Sequence, residues 1–312
     1  MTSEYKQIRL RDGRTLAYLE FGSPHGAPVF YCHGTPSSRV EGYLTMPTEA
    51  VAALNTRVIV PDRPGMGFSD FQRGRRITDW PNDVLEIADA LGIGTFAVLG
   101  SSGGAPFALA CAALIPSRAR VVGVVGPVSP PDVPGLHAGG SGLAGRLATY
   151  APALVRGLMR LQQRALRWEG VRKQMAVAFP EPDRSLFQRQ DIRDRFIACF
   201  EEACRKGPRG AVWEQHLLAQ PWGFELCQIQ IPVRLWQGER DGNVSADGAR
   251  YLTRTIPGCA STFYPDDGHL SALLNHRREI LVELTRQLGS AAPPDATLAT
   301  KVSADPRQPC SQ

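Results

Sequence analysis

Short runs that are apolar nearly from end to end recur along this chain: PVFYC (28–32), TRVIVP (56–61), TFAVLG (95–100), RVVGVV (120–125) and IPVRLW (231–236). A strand with one wet face alternates polar and apolar residues, so runs without alternation read as strands buried on both sides. Stretches at helical spacing separate them, among them ITDWPNDVLEIADALG (77–92) and the uniformly apolar APFALACAALI (105–115). Fully apolar strands in strand–helix order argue for an α/β fold, a parallel sheet with helices on both faces. At the start, IRL (8–10) and TLAYLEFG (15–22) flank the turn RDGR and read as a strand pair. A helical segment of about fifteen residues follows PVFYC; near the other end STFYP (261–265) reads as a last strand before the helix LSALLNHRREILVELTRQLG.

The alternation stops between residues 131 and 225. LATYAPALVRGLMRLQQRALRW (147–168) and SLFQRQDIRDRFIACFEEACRKG (185–207) are helical, with no convincing strand between them. The chain therefore divides into a core of 1–130 and 226–290, a helical insertion of 131–225, and a Pro/Ala/Ser-rich stretch, 291–312, that reads as a disordered tail.

Composition excludes several classes. Hydrophobic residues make up 43% and charged residues 21% of the 312, as in soluble globular proteins. No apolar run is long enough to span a membrane, and MTSEYKQIRLRDG lacks the pattern of a signal peptide. Cysteines 32, 111, 199, 204, 227, 259 and 310 form no CxxC pair or zinc spacing and read as free thiols in a reducing cytoplasm. No P-loop or complete dinucleotide fingerprint is present, and no basic motif interleaved with aromatics points to nucleic acid.

One corner carries chemistry. LGSSGGAP (99–106) sits where a buried strand hands over to a buried helix, and Gly100-Ser101-Ser102-Gly103-Gly104 fits G-x-S-x-G. That elbow holds a nucleophilic serine in a strained conformation, which demands small residues at Gly100 and Gly104. Ser102 is the candidate nucleophile; read alone, the glycines could equally serve close helix–strand packing. A hydroxyl needs a base oriented by a third group. Of histidines 25, 33, 137, 216, 269 and 276, His269 in YPDDGHLSALL follows a strand at the mouth of the last helix, on the edge that carries Ser102 if the strands are parallel. Glu239 and Asp241 follow IPVRLW; Asp241 is the better orienting acid, with Asp132 in SPPDVP as the fallback. Backbone N–H groups of Gly103 and of Thr35, in HGTPSSR, are candidate oxyanion donors.

With HGTPSS, PDRPGMGFSD, LGSSGGAP, GERDGNV and DDGHLS in this order, residues 5 to 290 resemble the α/β-hydrolase fold superfamily, in particular members with a helical cap. The resemblance implies a mostly parallel eight-stranded sheet, a cap between the sixth and seventh strands, and a serine hydrolase without cofactor or metal. It implies Ser102, Asp241 and His269 as the triad, Thr35 and Gly103 as oxyanion donors, and a turn-stabilising role for Asp62 and Arg63. HGTPSSR also looks like the loop of haloalkane dehalogenases and epoxide hydrolases, whose nucleophile is an aspartate; Ser102 argues against both reactions. The expected partner is a small molecule with a reactive carbonyl, and carboxylic ester hydrolysis leads on breadth. The rivals are a proline iminopeptidase-like peptidase, a C–C bond hydrolase, a natural-product tailoring enzyme and a non-catalytic receptor. Residues 142–220 carry fourteen basic against eight acidic residues, with Arg156, Arg160, Arg164 and Arg167 at helical spacing. Such a face reads first as solvated and second as attraction for acidic substrates or partners.

Overall fold

A computed structural model describes residues 5–131, 133 and 140–290. Its eight strands form one sheet in the order β1-β2-β4-β3-β5-β6-β7-β8. Strands β1 (Lys6–Arg9) and β2 (Thr15–Gly22) pair antiparallel around the RDGR turn, and β2 runs antiparallel to β4 (Thr56–Pro61). From there β3 (Ala27–Cys32), β5 (Phe96–Ser101), β6 (Ala119–Val125), β7 (Val233–Gly238) and β8 (Ala260–Tyr264) all run parallel. The fold is thus the mostly parallel α/β sheet expected from the apolar runs.

The missing alternation in those runs has a direct cause. Successive residues of a strand face opposite sides, and here both sides are dry. Phe30, Ile59, Val98, Val124 and Leu235 enter a core shared with α3 (Trp80–Ala90), α4 (Ala105–Leu114) and α11 (Ala246–Thr255). Their neighbours Tyr31, Val60, Leu99, Val125 and Trp236 enter a second core against α12 (Ser271–Ser290). Helix α4 is buried over Ala105–Ala112, so its sequence has no polar face to show.

Helix breaks follow local chemistry that the apolar period does not report. The segment after β3 forms two short helices, α1 (Glu41–Thr45) and α2 (Thr48–Ala53), divided at Pro47. The expected single helix over 147–168 divides into α5 (Gly140–Tyr150) and α6 (Pro152–Ala165), because Pro152 can open a helix but cannot donate within one. Between β6 and β7 also lie α7 (Glu169–Ala178), α8 (Asp183–Gln188), α9 (Gln190–Ala203) and α10 (Arg209–Leu218). The expected tail, 291–312, lies outside the described residues.

Cysteines 32, 111, 199, 204 and 259 are free thiols, four of them buried. Cys227 is disulfide-bonded, which corrects the expectation that every cysteine is a free thiol. No helix among the described residues is long and apolar enough to cross a membrane.

Candidate active site

The loops that leave β3, β5, β6, β7 and β8 emerge on one edge of the sheet, because these five strands are parallel. Ser102 sits between β5 and α4 with φ +52°, in the left-handed region that costs an L-residue about 1–2 kcal/mol. A methyl group on Gly104 would overlap the Cys32 carbonyl, and one on Gly100 would lie 2.8 Å from the Ala105 Cα. Only hydrogen fits at either position, so the strained serine is held by backbone packed closely on both sides.

The structure brings Ser102, His269 and Asp241 together. His269 Nε2 lies 3.0 Å from Ser102 Oγ, and its Nδ1 lies 2.7 Å from Asp241 Oδ2. An ionised carboxylate only accepts, so Nδ1 carries the proton and Nε2 is left to accept from the serine hydroxyl. Asp241 has no side-chain exposure, and its oxygens also accept from the Asn243 and Val244 amides and from Gln237 Nε2. Burial pushes the Asp241 pKa up, but the His269 ring and these donors outweigh it and hold the carboxyl below its ordinary value. Burial likewise pushes His269 down, and the negative charge of Asp241 more than reverses it, so the ring titrates above its ordinary value. Gly126, at φ +53° after β6, is where the ring approaches the backbone: a methyl there would lie 3.2 Å from the imidazole.

The other candidates lie elsewhere. Glu239 is paired with Arg250 on the surface, and Asp267 bonds His276 and Asn275, with His276 stacked on Tyr264. His25 is exposed, and His216 meets the Thr149 hydroxyl. His33 is fully buried and held neutral, its pKa pushed down to about 3 by burial and the Arg63 charge. Asp132 and His137 lie outside the described residues. Thr35 and Gly103 abut beside Ser102: a methyl on Gly103 would stand 2.6 Å from Thr35 Oγ1, and one on Gly34 would stand 3.6 Å from Ser102 Cβ.

Ser102 and His269 open into a cavity of about 790 Å³. Helices α7 to α9 contribute Met175, Phe187, Phe196 and Phe200 to its wall. Not every large apolar residue between β6 and β7 faces the cavity. Leu154, Leu158 and Leu161 instead face solvent, and Met159 packs among the helices. Among the described residues no group of three or more His, Cys, Asp or Glu could hold a metal ion.

Residues 27–275 match the family model of the α/β hydrolase fold. The chain belongs to that family. Solved structures similar to it include an α/β hydrolase fold protein from Nakamurella multipartita (TM-score 0.67, 21% identity, 92% of this chain and all of that one). A thermophilic esterase from Thermogutta terrifontis (TM-score 0.65, 21% identity) aligns with 93% of this chain and all of its own. An enol-lactonase from Burkholderia xenovorans (TM-score 0.64, 19% identity) aligns with 90% of this chain and all of its own. No curated protein matches the sequence.

Two buried carboxylates that the sequence did not single out tie the helices between β6 and β7 to the sheet edge. Asp183, at the start of α8, accepts from the backbone amides of His269, Leu270 and Ser271 at 2.8 to 3.2 Å, capping α12 from 86 residues away in sequence. A carboxylate there satisfies orphan amides and complements the helix dipole, and it fixes the backbone that carries His269. Glu214 of α10 has no side-chain exposure and binds Arg63 through Nε (2.7 Å) and a terminal nitrogen (2.6 Å), Arg75 at 2.9 Å, and the Thr35 hydroxyl at 2.5 Å. Arg63 also donates to the His33 and Gly34 carbonyls, while Glu41 accepts from the Gly34 amide and the Tyr31 hydroxyl. The loop 33–35 is thereby pinned from several directions. Asp62 does hold a turn, accepting from the Arg39 and Phe68 amides. An aspartate before a helix reads as that helix's own cap, and a lone glutamate in AVWEQHLL reads as a surface residue, so neither long-range role is legible locally.

Two consequences are measurable. Asp183→Ala removes one of the negative charges that favour the imidazolium, so the His269 ring pKa should fall in an NMR titration. The lost cap should also lower unfolding free energy by about 1–2 kcal/mol; an unmoved ring pKa would contradict the assignment. Glu214→Ala leaves Arg63 and Arg75 buried without their carboxylate and should cost about 3–5 kcal/mol in denaturant unfolding. A loss under about 1 kcal/mol, the scale of an exposed pair, would show the network to be unimportant.

Proposed function

We propose that this α/β hydrolase is a serine hydrolase that cleaves carboxylic esters with a hydrophobic part, through an acyl-enzyme and without a cofactor. The observation that carries the reading is the continuous relay from Ser102 Oγ through the His269 ring to the buried Asp241 carboxylate. His269 Nε2 takes the hydroxyl proton as Ser102 Oγ attacks the ester carbonyl, and Asp241 stabilises the imidazolium that forms. The oxygen that becomes negative is met by the Thr35 and Gly103 amides, two donors whose loops abut beside Ser102. Losing one such donor typically costs about 3–4 kcal/mol of transition-state stabilisation. Collapse passes the proton from His269 to the leaving alcohol. Water, deprotonated by the same ring, then releases the acid and restores Ser102.

In this reading residues 131–225 act as a cap over the cavity, and the phenylalanines they contribute favour an apolar acyl or alcohol group. The lining supports a substrate with an apolar group over a peptide with a free amino group. Among the described residues its two carboxylates, Glu41 and Asp183, already accept from backbone amides, which leaves less of their acceptor capacity for an ammonium.

Turnover of p-nitrophenyl esters of increasing acyl length, beside lactone and amide panels, tests the proposal. Ester turnover should dominate, and Ser102→Ala should reduce it about 10⁴-fold or more. The neutral ring is the active form, so the rate should fall as pH drops through a His269 value above the ordinary 6.5. Asp241→Asn should shift that limb to lower pH and lower the rate about 10⁴-fold. Undiminished turnover in Ser102→Ala, or no turnover by the wild type on any panel, would reject the serine-hydrolase reading in favour of another nucleophile or a receptor.

A further inference from the structure

Helices α5 and α6 are solvated in an unusual way. Leu143, Tyr150, Leu154, Leu158 and Leu161, with Trp168 just beyond, are between 51% and 85% exposed. Scattered exposed leucines need no explanation, but these recur in register: Leu143, Leu147 and Tyr150 on α5, then Leu154, Leu158 and Leu161 on α6, each at i, i+4, i+7. On α6, Val155 and Met159 form the buried strip. At 3.6 residues per turn, the leucine strip and a strip of Arg156, Arg160 and Arg164 each lie about 120° from the buried one. The side of α6 pointing straight away from the protein is therefore flanked by leucines on one hand and arginines on the other.

The charge of this surface is one-sided. Residues 140–168 contain five arginines and no acidic residue. Among the described residues Arg156, Arg160, Arg164 and Arg167 form no ion pair, although arginines elsewhere in the block do, Arg172 with Asp194 and Arg193 with Glu169. A second copy of the chain would bring five more arginines and no acid to the contact. The stretch 291–312 offers two acids against two bases and few large apolar residues. The complement of this face is a surface that is negative outside and hydrocarbon beneath.

We propose that residues 140–168 dock the protein on an anionic phospholipid surface. The leucines enter the boundary of the acyl chains, Tyr150 and Trp168 sit at the level of the headgroups, and the arginines meet lipid phosphates. The same helices contribute Arg146 and Gln162 to the cavity wall, so docking places the cavity beside the lipid layer. The inference concerns binding alone and stands whether or not the chain hydrolyses esters.

Flotation of the full chain with phosphatidylglycerol/phosphatidylcholine vesicles, beside vesicles of phosphatidylcholine alone, tests it. Wild type should partition onto the anionic vesicles in preference to the neutral ones, and about 0.5 M salt should weaken that binding. Two triple variants, L154S/L158S/L161S at exposed positions and R156Q/R160Q/R164Q at exposed positions save the half-buried Arg156, should each reduce the partition coefficient about tenfold or more. Their melting curves should match wild type, which separates loss of binding from loss of fold. Equal partition of both variants and wild type, or no preference for anionic vesicles, would overturn the proposal. So would a light-scattering dimer that the leucine variant dissociates while wild type ignores vesicles, since the face would then join copies of the chain.

Discussion

A 2.7 Å contact joins the His269 ring to a carboxylate that water cannot reach, and the way the ring faces Ser102 follows from it. With Asp241 ionised and accepting, the ring proton is confined to Nδ1, and Nε2 faces Ser102 as an acceptor. The carboxylate stays ionised in a dry site because the His269 ring and, after it, the Val244 and Asn243 amides offset the cost of burial. Without them, burial would favour the neutral acid, and a protonated Asp241 would no longer hold the ring in this tautomer.

The site belongs to two parts of the chain at once. Asp183 and Glu214 come from helices between β6 and β7, yet one caps the helix that follows His269 and the other anchors the arginine beneath Thr35. Buried charges of this kind are expensive to desolvate and are weak evidence for stability as such. What they do provide is geometry. A shift of the helical block would withdraw an acceptor from the His269 backbone and another from the Thr35 hydroxyl together, so block and relay are mechanically coupled. The outer side of the same block carries the leucine and arginine strips, which gives one helical unit a face toward the cavity and a face toward a surface.

Much of this was legible in the chain. Apolar runs without alternation gave the parallel sheet, because a strand buried on both sides has no polar positions to show. The elbow was legible because only glycine fits beside Ser102, and Asp241 stood out over Glu239 because it lies two residues further along the turn, where it reaches back to the sheet edge. Helix breaks at Pro47 and Pro152 were lost inside one continuous helical period, although proline chemistry marks both. The contacts of Asp183 and Glu214 were not legible at all: each reaches a partner more than eighty residues away, and a single acidic letter looks the same whether it meets water or a buried amide. Exposure of Leu154, Leu158 and Leu161 was hidden for the converse reason, since spacing gives a face but not which way it points.

The most direct measurement is a crystal structure of the protein after reaction with a fluorophosphonate. The account requires phosphorus bonded to Ser102 Oγ, its oxygen within hydrogen-bond reach of both the Thr35 and Gly103 amides, and His269 still bridging to Asp241. An adduct on another residue, or one on Ser102 whose phosphoryl oxygen points away from both amides, would contradict it.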